Sequence, residues 1–185
     1  MSDSEGTLHI PEGIDTAKLA QIMNLKNVQR GRLSAFAAEH GHSFEAGKRP
    51  WHIKADVAMP CATQNELEAD DADALLANGC ICVAEGANMP ATLEAVDKFI
   101  HARILYAPGK ASNAGGVATS GLEMSQNALR LSWTRNEVDE KLSAIMKDIH
   151  KNCVKYGTQD DLSVKDVDGA NIAGFVKVAE ARLAL

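Results

Sequence analysis

The sequence predicts an α/β fold in which parallel strands alternate with helices. Three short apolar runs, at residues 56–62, 80–84 and 104–107, are separated by two segments of helical length. A strand–helix–strand order at this spacing is typical of parallel strands joined by crossover helices. The runs are continuously apolar rather than alternating, as expected where both faces of a sheet are covered.

The residues before these runs predict a shorter mixed region. Segment 2–7 is interpreted as a strand end with a turn, and a helical pattern begins near Asp15. A second short helix is predicted for residues 33–39. Residues 41–54 contain glycines and a proline, so they are predicted to form an irregular connection.

The two crossover helices are predicted for residues 66–78 and 90–101. Thr63 with Glu66 forms a candidate capping box for the first, and Pro90 suits the first turn of the second.

After Asn113 the sequence predicts helices alone. One opens at Gly115 and runs to about Trp133, a capping box of Thr134 with Glu137 starts the next, and the last covers 171–185. We therefore predict two parts, a partial α/β domain over residues 1–112 and a carboxy-terminal helical segment over residues 113–185.

Composition excludes several classes of protein. With 45% hydrophobic and 24% charged residues, a packed core is expected. A net charge of −6 argues against a nucleic-acid partner. No run approaches the roughly 20 apolar residues of a membrane span, and the polar start predicts no signal peptide. We expect a soluble, cytoplasmic protein, and the four cysteines lack paired zinc-ligand spacing, so no metal site is predicted.

Candidate functional residues follow the three predicted strands. Asn65, Asn88 and Asn113 each lie in the polar loop after one strand, and the carboxyl ends of parallel strands share one sheet edge. Side-chain amides there could bind a ribose hydroxyl, a carboxamide or a carbonyl. Each asparagine also fits an ordinary turn or helix cap. The glycine-rich loop 113–121 could approach an anion, or simply form a tight turn.

A small basic cluster follows the first helix. It consists of Lys26, Arg30 and Arg32, and it fits either a charged surface or a site for one phosphate.

Several segments resemble the Glu/Leu/Phe/Val dehydrogenase family, and in particular the carboxy-terminal part of NADP-specific glutamate dehydrogenases. The resemblance covers essentially the whole chain, and its longest block, NAGGVATSGLEMSQN, is highly specific. The matching segments are 2–4, 60–67, 84–90, 107–110, 113–127, 146–150 and 169–175. The resemblance implies an incomplete Rossmann-like dinucleotide-binding domain and NADP as cofactor. It also implies the reversible oxidative deamination of glutamate to 2-oxoglutarate and ammonium, in an enzyme that commonly forms homo-oligomers.

The resemblance implies roles for the strand-end residues. It places Asn88 and Asn113 near the nicotinamide ribose and carboxamide, and Ala62 and Thr63 beside the cofactor. Ser120 is expected at the far carboxylate of glutamate.

The resemblance also implies an adenosine end for the cofactor. Asp3 and Ser4 are expected near the adenosine ribose and its 2′-phosphate, with Lys26 and Arg32 as electrostatic partners of that phosphate. Asp3 could instead accept a bond from a ribose hydroxyl, which would suit NAD.

Some features of the family are missing from this sequence. The G-x-G-x-x-G turn that holds a pyrophosphate is not found. The family's catalytic lysine and aspartate belong to an amino-terminal domain, which we expect to be the missing partner. We therefore predict that the isolated chain is inactive and that it self-associates. The alternative is a non-catalytic remnant or interaction module of the same ancestry.

Overall fold

The computed structural model describes residues 1–184. Leu185, the last residue of the helix predicted for 171–185, lies outside the described residues. The chain forms two compact units, Met1–Ile53 and Lys54–Leu185. The division predicted at residue 112 stays a prediction about domain organisation. Among residues 1–184, no helix is long and apolar enough to cross a membrane.

The first unit is built on a three-stranded antiparallel sheet in the order β1-β2-β3. Its strands are β1 (Ser2–Asp3), β2 (Gly6–His9) and β3 (Ser43–Ala46), and its helices are α1 (Thr16–Asn27), α2 (Leu33–His40) and a short 3₁₀ turn (Pro50–His52). The strand end and turn predicted for residues 2–7 are confirmed as β1 and the start of β2.

The irregular connection predicted for residues 41–54 is wrong, because it contains β3. This strand pairs with β2 in the register Leu8 with Phe44. Gly41, with φ 68°, ends α2 in the left-handed region and turns the chain back toward the sheet. The apolar core between sheet and helices comprises Leu8, Ile10, Ile22, Leu33, Phe36 and Ala37.

The second unit begins with the predicted parallel sheet, which confirms the α/β fold class. Its strands are β4 (Val57–Ala58), β5 (Cys82–Ala84) and β6 (Leu105–Ala107), in that order. Val57 pairs with Cys82, and Val83 pairs with Tyr106. The crossover helices α3 (Ala69–Ala77) and α4 (Leu93–His101) contact each other.

Both crossover helices begin three residues later than predicted, so the proposed caps are wrong. The capping box of α3 is Glu68 with Asp71, and Thr92 caps α4 by accepting a bond from the Ala95 N–H at 3.3 Å. Leu67, which is fully buried, keeps the preceding segment extended by pairing with Ala91. Because this pairing keeps Leu67 and Ala91 extended, each helix begins only after the paired residue.

Four helices complete the unit, namely α5 (Gly109–Ser112), α6 (Gly115–Leu129), α7 (Arg135–Gly157) and α8 (Asp166–Leu183). The capping box of Thr134 with Glu137 is confirmed at the start of α7. Helices α7 and α8 approach closely at two glycines. A Cβ on Gly169 would lie 2.0 Å from the Cys153 carbonyl oxygen, and one on Gly157 would lie 2.5 Å from that of Lys165.

Candidate functional site

The carboxyl ends of β4, β5 and β6 lie at one edge of the parallel sheet, and the loop after each strand carries one of the predicted asparagines. The side chains of Asn88 and Asn113 meet there. Asn113 Nδ2 donates a hydrogen bond to Asn88 Oδ1 at 2.6 Å. This single bond leaves each amide further hydrogen-bonding capacity, because an amide offers two donor hydrogens and a two-lone-pair acceptor.

Asn65 joins this edge through its backbone. Its N–H donates to the Met89 carbonyl oxygen at 3.0 Å, and the Leu67 N–H donates to that of Pro90 at 2.9 Å. The Thr92 N–H returns a bond to Leu67 at 3.0 Å. The loops after β4 and β5 are therefore paired along their backbones. We call the loops after β4, β5 and β6 the strand-end site.

Two glycines allow these loops to approach one another. A Cβ on Gly86 would lie 2.4 Å from Cys61 Sγ, and a Cβ on Gly109 would lie 2.6 Å from the Ala87 carbonyl oxygen. A side chain at Gly109 would push the loops after β5 and β6 apart, because it would meet backbone, whereas at Gly86 it would displace the Cys61 side chain. The asparagine pair thus depends on close backbone packing beneath it.

A buried glutamate that the sequence analysis missed lies under the strand-end site. Glu85 follows β5 directly and is 4% exposed. Its Oε1 accepts a bond from the Tyr106 hydroxyl at 2.6 Å, and its Oε2 accepts one from the Gly109 N–H at 2.6 Å. Burial is the main cause that raises the pKa of Tyr106 above its ordinary value, and the hydrogen bond to Glu85 is the second. The available signal was a carboxylate placed at the end of a continuously apolar strand.

The other predicted residues of this region lie at the surface. Ala62 and Thr63 are exposed in the loop after β4, where the Ala62 N–H donates to Glu66 Oε1 at 2.9 Å. Ser120 is exposed on α6. These three side chains are accessible to a ligand.

The predicted residues of the first unit also come together. Lys26 Nζ donates to Asp3 Oδ2 at 2.9 Å, and Arg32 Nη1 donates to Ser4 Oγ at 2.9 Å. Glu5 lies beside them, with its Oε1 at 3.7 Å from Arg32 Nε. The cluster therefore contains the two carboxylates Asp3 and Glu5 as well as the cations Lys26 and Arg32.

Asp3 is held in place by several donors. Its Oδ2 also accepts a bond from the Leu33 N–H at 2.9 Å, and its Oδ1 accepts one from the Glu5 N–H at 3.0 Å. Burial by itself raises the pKa of Asp3, but these bonds and Lys26 outweigh it and lower the pKa below the ordinary value of 3.8. The carboxylate is thus ionised at neutral pH.

A cavity of about 630 Å³ lies between α5, α7 and α8. Its lining includes Lys110, Cys153, Tyr156 and Lys177 and contains none of the predicted site residues. Lys110 is bonded to Asn171 Oδ1 at the base of α8. The cavity therefore reaches the loop after β6 through Lys110 but does not include the asparagine pair.

The parallel sheet and its crossover helices define an α/β protein whose candidate site lies at the carboxyl ends of the strands. Comparison with known proteins identifies its family. The model of the Glutamate/Leucine/Phenylalanine/Valine dehydrogenase family matches residues 1–185. The glutamate dehydrogenase of Plasmodium falciparum superposes with a TM-score of 0.93 at 43% identity, over 99% of this chain and 40% of that chain. The chain belongs to this family, and its fold is Rossmann-like.

Curated relatives give the same result. The NAD(P)-specific glutamate dehydrogenase of Xylanibacter ruminicola is 59% identical over 183 residues. The NADP-specific glutamate dehydrogenase of Haemophilus influenzae is 55% identical over 184 residues. Each match covers 99% of this chain and 41% of the relative. The chain therefore spans about two fifths of the length of these relatives.

Proposed function

We propose that this chain is the cofactor-binding, carboxy-terminal part of an NADP-dependent glutamate dehydrogenase. The reaction would be the reversible oxidative deamination of glutamate to 2-oxoglutarate and ammonium. The observation that carries the proposal is the bonded pair Asn88–Asn113 at the carboxyl edge of the parallel sheet, with its 2.6 Å hydrogen bond. Ligands of open parallel sheets bind at this edge.

The strand-end site can hold and orient a nicotinamide nucleotide. The nucleotide supplies hydride transfer when bound. Asn88 and Asn113 retain donors and acceptors that suit a carboxamide and ribose hydroxyls. Ala62 and Thr63 are exposed in the loop after β4, and we assign them to the cofactor and Ser120 to the far carboxylate of the amino acid. The contribution of the chain is positioning, which lowers the entropic part of a reaction barrier.

Nucleotide binding to the isolated chain tests this proposal by calorimetry with NADPH and NADH. Asn113→Ala should weaken binding by roughly tenfold, since it removes amide bonds to the ligand and the bond to Asn88. The matched control is Asn127→Ala, which removes an exposed amide from α6. No binding of either nucleotide by the unaltered chain would overturn the proposal.

We assign the 2′-phosphate preference to the cluster of the first unit. Lys26 and Arg32 supply cationic donors, and a guanidinium suits a phosphate because it can donate several bonds in one plane. Asp3 and Glu5 reduce the net positive charge of the cluster. The alternative is that Asp3 accepts a hydrogen bond from a ribose hydroxyl, and this arrangement would favour NAD over NADP.

Arg32→Ala separates these two alternatives. If the cluster recognises a phosphate, this change should weaken NADPH binding by about tenfold and leave NADH binding nearly unchanged. Lys18→Ala, which breaks the salt bridge of Lys18 with Asp15 on the same unit, is the control. Equal affinity for both nucleotides in the unaltered chain would favour the NAD alternative.

We propose that the chain alone is inactive, because the family's catalytic lysine and aspartate have no counterparts that we can name in it. The alternative function, a non-catalytic interaction module, is favoured by exposed apolar side chains such as Phe175, which is 73% exposed. Mixing the chain with the remaining part of the Haemophilus influenzae relative distinguishes the two. Recovered turnover supports the enzyme, and persistent inactivity with tight association supports the interaction module.

A further inference from the structure

Glu85 is a buried carboxylate whose hydrogen-bond partners all belong to the strand-end region. Besides Tyr106 and Gly109, it accepts a bond from the Ala91 N–H through Oε1 at 3.3 Å. The three donors are uncharged. Burying a polar group is costly unless it is hydrogen-bonded, and both side-chain oxygens of Glu85 accept bonds.

The donors connect the two loops that carry the asparagine pair. Ala91 closes the loop that contains Asn88, and Gly109 opens α5, which ends immediately before Asn113. The Ser112 hydroxyl donates to the Glu85 carbonyl oxygen at 2.5 Å, which adds a tie beside Asn113. Glu85 therefore bonds to the segment that follows Asn88 and to the segment that precedes Asn113.

The loop after β5 has a conformation that needs such ties. Met89, next to Asn88, has a φ of 51°, in the left-handed region that a residue with a side chain rarely adopts. Backbone of this kind persists where the surroundings impose it. The bond from Ala91 to Glu85 and the bond from Asn65 to Met89 hold the loop from two sides.

We propose, on the basis of the function proposed above, that Glu85 is a positioning residue that sets the spacing of Asn88 and Asn113 for binding of a nicotinamide nucleotide. It does not touch the ligand. It acts by keeping the loops after β5 and β6 in the one arrangement that joins the two amides. Loss of this arrangement reduces the fraction of molecules that can bind, and the apparent affinity falls by the same factor.

The hydrogen-bond pattern requires a carboxylate rather than an amide. If the NH₂ group of a glutamine replaced Oε2, it would face the Gly109 N–H, and two donors would oppose each other. If it replaced Oε1, the Ala91 N–H would lose its acceptor, although the Tyr106 hydroxyl could rotate to accept. Either orientation of Glu85→Gln therefore leaves one backbone N–H unpaired.

The experiment combines NMR of the side-chain amides with nucleotide titration of the same samples. In the unaltered chain, the Asn113 NH₂ should show the shifted resonance of a hydrogen-bonded amide and a cross-peak to Asn88. Glu85→Gln should remove both features and weaken NADPH binding by roughly tenfold. Tyr106→Phe keeps both backbone donors and should have a smaller effect on each.

Two controls separate positioning from general loss of stability. Leu75→Ala destabilises the same unit from the buried side of α3 and should leave the Asn113 resonance in place. Glu123→Gln makes the same chemical change at an exposed position of α6 and should change nothing. If Glu85→Gln does not fold, Tyr106→Phe is judged by the same resonance.

The outcomes also separate this inference from the proposed function. An intact amide pair with unchanged NADPH affinity in folded Glu85→Gln would overturn the positioning role while the proposed function stands. If the unaltered chain binds no nucleotide, the proposed function fails. Loss of the amide pair in Glu85→Gln would then still establish that Glu85 sets the spacing, and its persistence would refute it.

Discussion

The crossover helices and the helix that follows the sheet differ sharply in how much they bury. Helices α3 and α4 place Ala72, Leu75, Ala95 and Phe99 in the core. Helix α6 is 15 residues long and buries none of its side chains, and its Val117 and Met124 are 79% and 72% exposed.

The difference indicates that α3 and α4 contribute more to the stability of the fold than α6 does, although all three are helical. Burial of apolar surface is the dominant favourable term in folding, whereas isolated helices of this length are marginal in water. The layer of α3, α4 and the parallel sheet should therefore carry the stability of the second unit. Helices α6 and α8 offer apolar surface for association.

The largest effect is expected from a core aromatic in this layer. Phe99 is fully buried and stacks on Tyr106 with ring centroids 5.8 Å apart. Phe99→Ala should lower the free energy of unfolding by about 3–5 kcal/mol, measured by urea denaturation. Phe175→Ala, at an exposed position of α8, should change it by less than about 0.5 kcal/mol and reduce self-association in sedimentation. Similar decreases in the free energy of unfolding for both variants would show that the two regions do not differ in their contribution to stability.

A smaller effect is expected at the contact between α7 and α8. Gly169→Ala should cost about 1–3 kcal/mol, because its Cβ would lie 2.0 Å from the Cys153 carbonyl oxygen. Gly174→Ala is the matched control in the same helix, since a Cβ there meets nothing within 4 Å. It should stabilise by up to about 1 kcal/mol. Equal melting temperatures for the two variants would show that the contact is not tight.

Loss of a cap should have a still smaller effect. Thr134→Ala removes the hydroxyl that accepts from the Glu137 N–H at 3.3 Å and should cost about 1 kcal/mol. Thr92→Ala makes the same change at α4 in the buried layer. Circular dichroism during urea unfolding should show partial loss of helix before the main transition only for Thr134→Ala. An early loss in both variants would contradict the predicted difference between the regions.

The smallest effect concerns pH. Two hydrogen bonds lower the pKa of Glu137 below its ordinary value of 4.5. The larger effect comes from the Thr134 N–H, and the smaller comes from the Thr134 hydroxyl. A lowered folded-state pKa contributes stability that is present above the unfolded value and is lost as pH falls through the folded value. Glu137→Gln should therefore melt below the unaltered chain at neutral pH, with the gap closing in acid. Glu140→Gln is the control, and a gap that widened in acid would refute the assignment.

The parallel sheet could be predicted because its strands are continuous apolar runs at regular spacing. The meeting of Asn88 and Asn113 followed from that topology, since each asparagine lies in the loop after a strand of the same parallel sheet. Strand β3 was not predicted because its sequence, Ser43–Ala46, is half polar and its partner β2 lies far away in the chain. Such pairing is decided by tertiary contacts rather than by local pattern.

The errors at the helix starts have a common physical origin. Thr63 with Glu66 and Pro90 both carry strong local signals for a helix start. Backbone pairing of Leu67 with Ala91 competes with those signals and prevails because Leu67 and Ala91 are both buried there. The role of Glu85 was not predicted from the sequence for a related reason. A single carboxylate has no periodicity, and its donors Tyr106 and Gly109 lie 21 and 24 residues away in the chain.

The bridge between Thr158 and Val164, at the junction of α7 and α8, has a consequence for the order of folding. This connection is short, so the two helices form a hairpin whose contacts are local in sequence. The parallel strands must instead join residues that are far apart, such as Val57 and Cys82. Because local contacts form faster than distant ones, we expect the hairpin to gain protection from hydrogen exchange first during refolding. The sheet edge that carries the asparagine pair should be completed last.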